Sequence, residues 1–194
     1  MVEFATTIQN IIYKLDTENQ IKGWVVDLRQ NTGGNMYPMI AGLGPLTGEG
    51  NLGYFISMSH KKEAMYLWFY KKGGSGAASG TIVQLSKPYS LKNKAVKVAV
   101  LIGPNTSSSG EMTAISFIGK KNARLFGTPS GGFTTGNVSF KLADGSNLLL
   151  ASSYTADRNK KSYKKKIMPD VQISNASGQD DAVLKAAEDW LSGK

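Results

Sequence analysis

Asn105-Thr106-Ser107-Ser108-Ser109-Gly110-Glu111-Met112-Thr113-Ala114-Ile115-Ser116-Phe117 decides how this chain folds, because it marks the place where a strand gives way to a helix. The residues before it, Val96 to Ile102, are Val, Ala, Leu and Ile broken only by Lys97, the composition of a strand covered on both faces. Those after it place Met112, Ile115 and Phe117-Ile118 near helical spacing, so a helix is expected to begin at about Ser109. A small hydroxyl residue at such a junction sits beside unpaired backbone N–H groups and the positive end of the helix dipole, where negative charge is stabilised. That environment suits the nucleophile and oxyanion donors of an acyl-transfer enzyme. It equally suits serines that only cap a helix, and the stretch by itself leaves both readings open.

Downstream, Arg124 to Gly127 reads as a short strand and Thr128 to Gly136 as a glycine-rich loop. Val138 to Leu142 and Leu148 to Tyr154 flank Asp144-Gly145, a hairpin signal because Asp-Gly accepts positive φ. Asn159 to Lys166 is a basic loop, Ile167 to Ile173 a last short strand, and Gln179 to Leu191 an amphipathic helix. Upstream, Phe4, Ile8, Ile11-Ile12 and Leu15 mark one apolar face of a helix from Val2 to about Glu18. Ile21 to Leu28 reads as a mostly buried strand left by the turn Arg29 to Asn35, whose Gly33-Gly34 allows close backbone approach. Met36 to Leu46 is a short helix expected to break near Gly42 to Pro45. Leu52 to Met58 and Ala64 to Tyr70 are strands joined at Ser59 to Lys62, and Gly73 to Gly80 is a flexible loop by composition. Interleaved strands and helices give an α/β class.

The chain has 194 residues, 41% of them hydrophobic, enough for one good core and a single domain over 1–194. No window approaches the roughly 18 apolar residues of a membrane span, and the first residues lack a signal-peptide pattern. The absence of Cys excludes disulfides, thiolate metal sites and cysteine nucleophiles. The net charge of +9 comes from 23 basic and 14 acidic residues, with lysine doublets and a triplet spread over separate loops. Without a nucleic-acid motif, that pattern reads as a solvated surface able to make peripheral contact with an anionic cell envelope, not as a nucleic-acid site.

Three segments together resemble one family. Val26-Asp27-Leu28-Arg29-Gln30-Asn31-Thr32-Gly33-Gly34 is similar to the Asp-Leu-Arg-x-Asn-x-Gly-Gly signature of the tail-specific, or C-terminal processing, serine peptidases. Thr106 to Glu111 resembles their nucleophile segment. Gly127 to Gly132, Leu142 to Gly145 and Ile167-Met168-Pro169-Asp170-Val171 follow in the family's order. The resemblance covers nearly the whole chain and implies the β-β-α fold shared with the Clp protease and crotonase group, acting on peptides or proteins without metal or cofactor. Matching on Glu111, it implies Ser108 as nucleophile and an oxyanion hole from the backbone N–H groups of Gly34 and Ser109. Glu111 itself is expected to orient the helix or support the nucleophile from behind.

The general base departs from the family. Many members use a lysine after a Gly-x-x-Thr-x-Gly loop, where this chain has Phe133. The sequence looks closer to the tricorn-like branch, which uses a histidine upstream of Asp-Leu-Arg and a downstream carboxylate. Here the one histidine, His60, lies downstream of that motif, and the nearest carboxylates, Asp157 and Asp170, also suit a turn-holding role or pairing with Arg158. The expectation is the C-terminal catalytic domain of a longer extracytoplasmic peptidase, weak or inactive on its own because its base lies elsewhere. A catalytically silent ligand- or peptide-binding module of the same fold is the main rival. A crotonase-type acyl-CoA enzyme and a polyanion binder rank below it.

Overall fold

A computed structural model describes residues 1–59, 64–173 and 181–194. In chain order the elements are α1 (Val2–Glu18), β1 (Gly23–Asp27), α2 (Met36–Thr47), β2 (Gly50–Ser57), β3 (Met65–Lys71), β4 (Gly74–Ala77), β5 (Gly80–Gln84) and β6 (Lys97–Ile102). They continue with α3 (Ser109–Ile115), β7 (Ala123–Gly127), β8 (Thr135–Lys141), β9 (Asn147–Asp157), β10 (Ser162–Tyr163), β11 (Val171–Gln172) and α4 (Ala182–Ser192). The mixed α/β class expected from the sequence is the observed one.

Two sheets divide the work. The first is parallel, in the order β1-β6-β7-β11, and its register sets Asp27 opposite Leu101 and Ile102 opposite Gly127. The C-terminal ends of three strands therefore reach one edge together, and the loops carrying Asn31 to Gly34, Asn105 to Ser108 and Ser130 to Gly132 all leave from it. Ligands of open parallel sheets bind at that edge. One face of this sheet packs Ala99, Leu101 and Phe126 against Val183 and Ala187 of α4. The other packs Val98, Val100 and Ile102 into the main core with Met112, Phe117 and Trp68, so β6 is buried on both faces as its composition requires.

The second sheet is antiparallel, in the order β10-β9-β2-β3-β4-β5, with β8 added along β9. Trp68 of β3 is fully buried, and its indole N–H donates to Ser116 Oγ at 3.0 Å, joining this sheet to the segment that ends α3. A buried indole needs such an acceptor to avoid an unpaired donor.

Several local expectations give way. The segment Gly73 to Gly80 is not a flexible loop but most of the β4–β5 hairpin, with Ser75 buried and its hydroxyl donating to the Tyr37 carbonyl at 2.6 Å. Its glycines serve close approach, since a Cβ on Gly76 would lie 2.1 Å from the Gly80 carbonyl oxygen. The helix α2 does not break before Pro45 but runs through it to Thr47. The basic loop Asn159 to Lys166 contains the short strand β10, and the last strand shrinks to Val171–Gln172.

Helix α1 turns a different face inward from the one its apolar periodicity suggests. Ala5, Gln9, Ile12 and Asp16 are buried, while Phe4, Ile11 and Leu15 are exposed. The two polar residues are paired: Gln9 donates to the Ala41 carbonyl at 2.8 Å, and Asp16 accepts from the Tyr89 hydroxyl at 2.7 Å and the Lys92 N–H at 2.8 Å. Hydrogen-bonded partners remove the penalty that would otherwise keep them outside.

Candidate active site

Ser108 sits at the N-terminus of α3 with φ 52° and ψ −120°. A non-glycine residue with positive φ carries backbone strain that persists only where its surroundings over-determine it. Three contacts do so here. The Ser108 N–H donates to Glu111 Oε2 at 2.9 Å, the preceding Ser107 N–H donates to the Asn31 carbonyl at 3.0 Å, and Gly33 presses against the side chain so closely that a Cβ there would lie 3.0 Å from Ser108 Cβ.

Glu111 is completely buried and divides its carboxylate between two loops. Oε2 takes the Ser108 N–H, while Oε1 accepts from the Ser130 hydroxyl at 2.5 Å and the Gly132 N–H at 2.9 Å. Ser130 in turn accepts from the Ile167 N–H at 2.8 Å. The carboxylate therefore ties the serine turn to the loop after β7.

Gly33 and Gly34 both have φ near 120°, a conformation open to glycine alone at little cost. The Ser109 hydroxyl donates to the Gly34 carbonyl at 2.7 Å and pins the glycine loop across the helix start. Asn31 organises that loop from below: its Oδ1 accepts from the Gly33 N–H at 3.1 Å, and its carbonyl comes so near α3 that a Cβ on Gly110 would meet it at 2.4 Å. Thr106, also buried, donates to the Leu28 carbonyl at 2.8 Å and accepts from the Gly103 N–H at 3.0 Å. Among the described residues, the Gly34 and Ser109 N–H groups donate to no protein acceptor. Ser108 N–H, by contrast, is taken by Glu111. The turn thus leaves the N–H groups of Gly34 and Ser109 without a protein acceptor and occupies that of Ser108.

These groups open on a cleft of about 740 Å³. Gly34, Ser108, Ser109 and Met112 form one side, while Phe55, Ser57 and Tyr66 of the antiparallel sheet and Thr135 to Val138, Ser152 and Ser153 of β8 and β9 form the other. Among the described residues that line it there is no Lys, His, Asp or Glu. Tyr37 lines it too, and burial pushes its phenol up from the ordinary value.

The candidates for a proton acceptor are accounted for individually. Phe133 is exposed and has no basic atom. Asp157 is buried at the end of β9, accepting from the N–H groups of Asn159 and Lys161 in the turn that follows and from the Tyr163 hydroxyl at 3.0 Å. Asp170 accepts from the Leu125 N–H at 2.8 Å at the edge of β7. Both hold backbone, and neither lines the cleft. His60 lies outside the described residues. Asn31 and Ser130 stand inside the motifs quoted from the sequence, but the sequence by itself assigned neither a role at the site.

A profile described as peptidase family S41 matches residues 2–173. The chain belongs to this family. It is 35% identical over 175 residues to a nisin-resistance protein of Lactococcus lactis subsp. lactis, a match covering 90% of this chain and 52% of that protein. The chain thus spans about half the length of that curated relative. A lipoprotein from Streptococcus agalactiae superposes with a TM-score of 0.73 at 28% identity, over 99% of this chain and 60% of the other. The photosystem II D1 C-terminal processing protease shares the fold, with a TM-score of 0.63 at 19% identity, over 90% of this chain and 40% of its own. Membership in S41 makes this a serine peptidase domain by family, and three of the motif segments quoted from the sequence, those of Asn31 to Gly34, Thr106 to Glu111 and Gly127 to Gly132, are brought to one edge by the fold.

Proposed function

We propose that this chain is the C-terminal catalytic domain of a longer serine endopeptidase of the cell envelope, with Ser108 as nucleophile. In this reading Ser108 Oγ bonds to the peptide carbonyl carbon while its proton passes to a base. The carbonyl oxygen takes up the negative charge between the N–H groups of Gly34 and Ser109. Collapse breaks the C–N bond, the amine leaves with the proton, and water then hydrolyses the acyl-serine. The observation that carries the reading is the pair of unoccupied N–H donors flanking a strained serine at a cleft. Each such donor is worth around 3 kcal/mol of transition-state stabilisation.

In this reading the base comes from outside these 194 residues, and what supports it is that no basic group lines the cleft among the described residues. Two relatives bearing the words nisin-resistance protein and lipoprotein support an envelope setting, and nisin is the first peptide to test. No helix among the described residues is long and apolar enough to cross a membrane. The chain alone is expected to cleave nisin or an unstructured peptide very slowly or not at all, and a version extended to the length of its relatives should cleave it. Rapid cleavage by the 194-residue chain, lost in Ser108→Ala, would overturn the missing base.

The lack of a lining base among the described residues also favours a second reading, a silent peptide-binding module of the same fold. A fluorophosphonate separates the two in the extended protein: covalent labelling that disappears in Ser108→Ala supports the peptidase, and no labelling supports the module.

A further inference from the structure

The hairpin of β8 and β9 carries a surface that the chemistry above leaves unused. Val138 is paired with Leu150 and Phe140 with Leu148. Directly opposed residues on antiparallel strands point to the same side, so these four share one face. Each is 42 to 49% exposed. The reverse face carries Asn137, Ser139, Lys141 and Asn147 together with Ala151 and the exposed Leu149. An amphipathic hairpin normally turns its apolar face to a core. This one turns it to solvent, where a contiguous apolar patch marks an interaction site.

The pairing register says which site. Gly136 is opposite Ser153, a bulge follows between Gly136 and Asn137, and Gly136, Val138, Ser152 and Ser153 all line the Ser108 cleft. Val138 is therefore both part of the cleft wall and the first residue of the apolar face. We propose that this face is an arm of the cleft that binds apolar side chains of an extended peptide substrate, at a distance from the bond to be cut. The proposal rests on reading the cleft as a peptide site. An extended peptide presents every second side chain to one side, as the hairpin does, so the two can match over several residues. No charged residue lies on this face between Val138 and Leu150, so selection is by hydrophobicity. Continuity with the cleft favours a peptide over a second copy of the chain or a lipid surface, neither of which needs the face to run into the Ser108 wall.

The test uses the Ser108→Ala chain and a fluorescein-labelled peptide with Leu or Phe at every second position, beside a peptide with Ser at those places. The apolar peptide should bind and the polar one should not. Phe140→Ser combined with Leu148→Ser should weaken binding by about tenfold or more, the scale set by removing two half-buried apolar contacts. Leu150→Ser alone should weaken it less, and Leu149→Ser on the reverse face should leave it unchanged, with thermal melts confirming that each variant folds. Equal affinity in the Phe140 and Leu148 double variant, or no binding of the apolar peptide, overturns the arm. So does a variant that loses self-association or binding to phosphatidylglycerol vesicles while its peptide affinity is unchanged. Fluorophosphonate labelling of Ser108 in the extended protein reports separately: labelling with no hairpin effect removes the arm alone, and a hairpin effect without labelling removes the nucleophile alone.

Discussion

Glu111 serves Ser108 through the backbone. Its oxygens hold the buried Ser130 hydroxyl and the part-buried N–H groups of Ser108 and Gly132. Glu111→Ala would strand three donors at once, and each buried donor left unpaired costs on the order of 1–3 kcal/mol. We expect Glu111→Ala to lower unfolding stability by about 2 kcal/mol or more, most of it from the buried Ser130 hydroxyl, read from the urea midpoint. A loss under about 1 kcal/mol would mean that the carboxylate is not the tie described. The Ser108-x-x-Glu111 spacing was legible in sequence because both residues belong to one helical turn. The partners Ser130 and Asn31 were not, since a hydroxyl or amide in a glycine-rich turn is compatible with many local roles. Only the fold shows which backbone it meets.

At the level of elements, periodicity located α1 and misjudged its orientation. Apolar spacing says that a helix has a face, but Gln9 and Asp16 found buried partners, and a paired polar residue competes with an apolar one for the inside. The β4–β5 hairpin was missed for a related reason, because glycine signals either freedom or tight contact and composition does not distinguish them. Helix α4, by contrast, was legible from its apolar stripe, and its docking uses charge as well. Asp181, its N-cap, pairs with Arg29 at 2.7 Å, and Arg29 also pairs with Asp27 at 2.6 Å. Burial would raise the Asp27 pKa, but the hydrogen bonds and charge of Arg29 outweigh it and hold the carboxyl below its usual value. A folded pKa below the unfolded one stabilises the fold above the ordinary carboxylate range and loses that contribution as pH falls through the folded value. Asp27→Asn should therefore be less stable than the parent at neutral pH, and the gap should close as pH falls below the ordinary carboxylate range. The gap will be small, because the Asp27 side chain is 47% exposed and its pairing is screened by solvent. Denaturant midpoints across pH check it, and a gap that widens on acidification contradicts the sign.

For the whole molecule, the α/β class and the order of the motifs were legible from end to end, since burial of β6 on both faces and the glycine turns after strands are local signals. The side of the β8–β9 hairpin that meets solvent was not, because alternation defines two faces without saying which has a neighbour. The charge surplus is also a whole-molecule property. Among the described residues there are three ion pairs, two of them on Arg29, against a net charge of +9. Repulsion among the remaining lysines should be relieved by salt, so Tm should rise by a few degrees between about 20 mM and 150 mM sodium chloride. A falling Tm would mean that attractive pairs dominate. The strained φ of Ser108 has a consequence of its own for engineering and for evolution. Ser108→Gly would relax that backbone and should raise stability by about 1 kcal/mol in the urea midpoint while removing the hydroxyl altogether. The most durable form of this domain would then be an inert one, and drift toward stability at this position would yield a robust relative with no chemistry left.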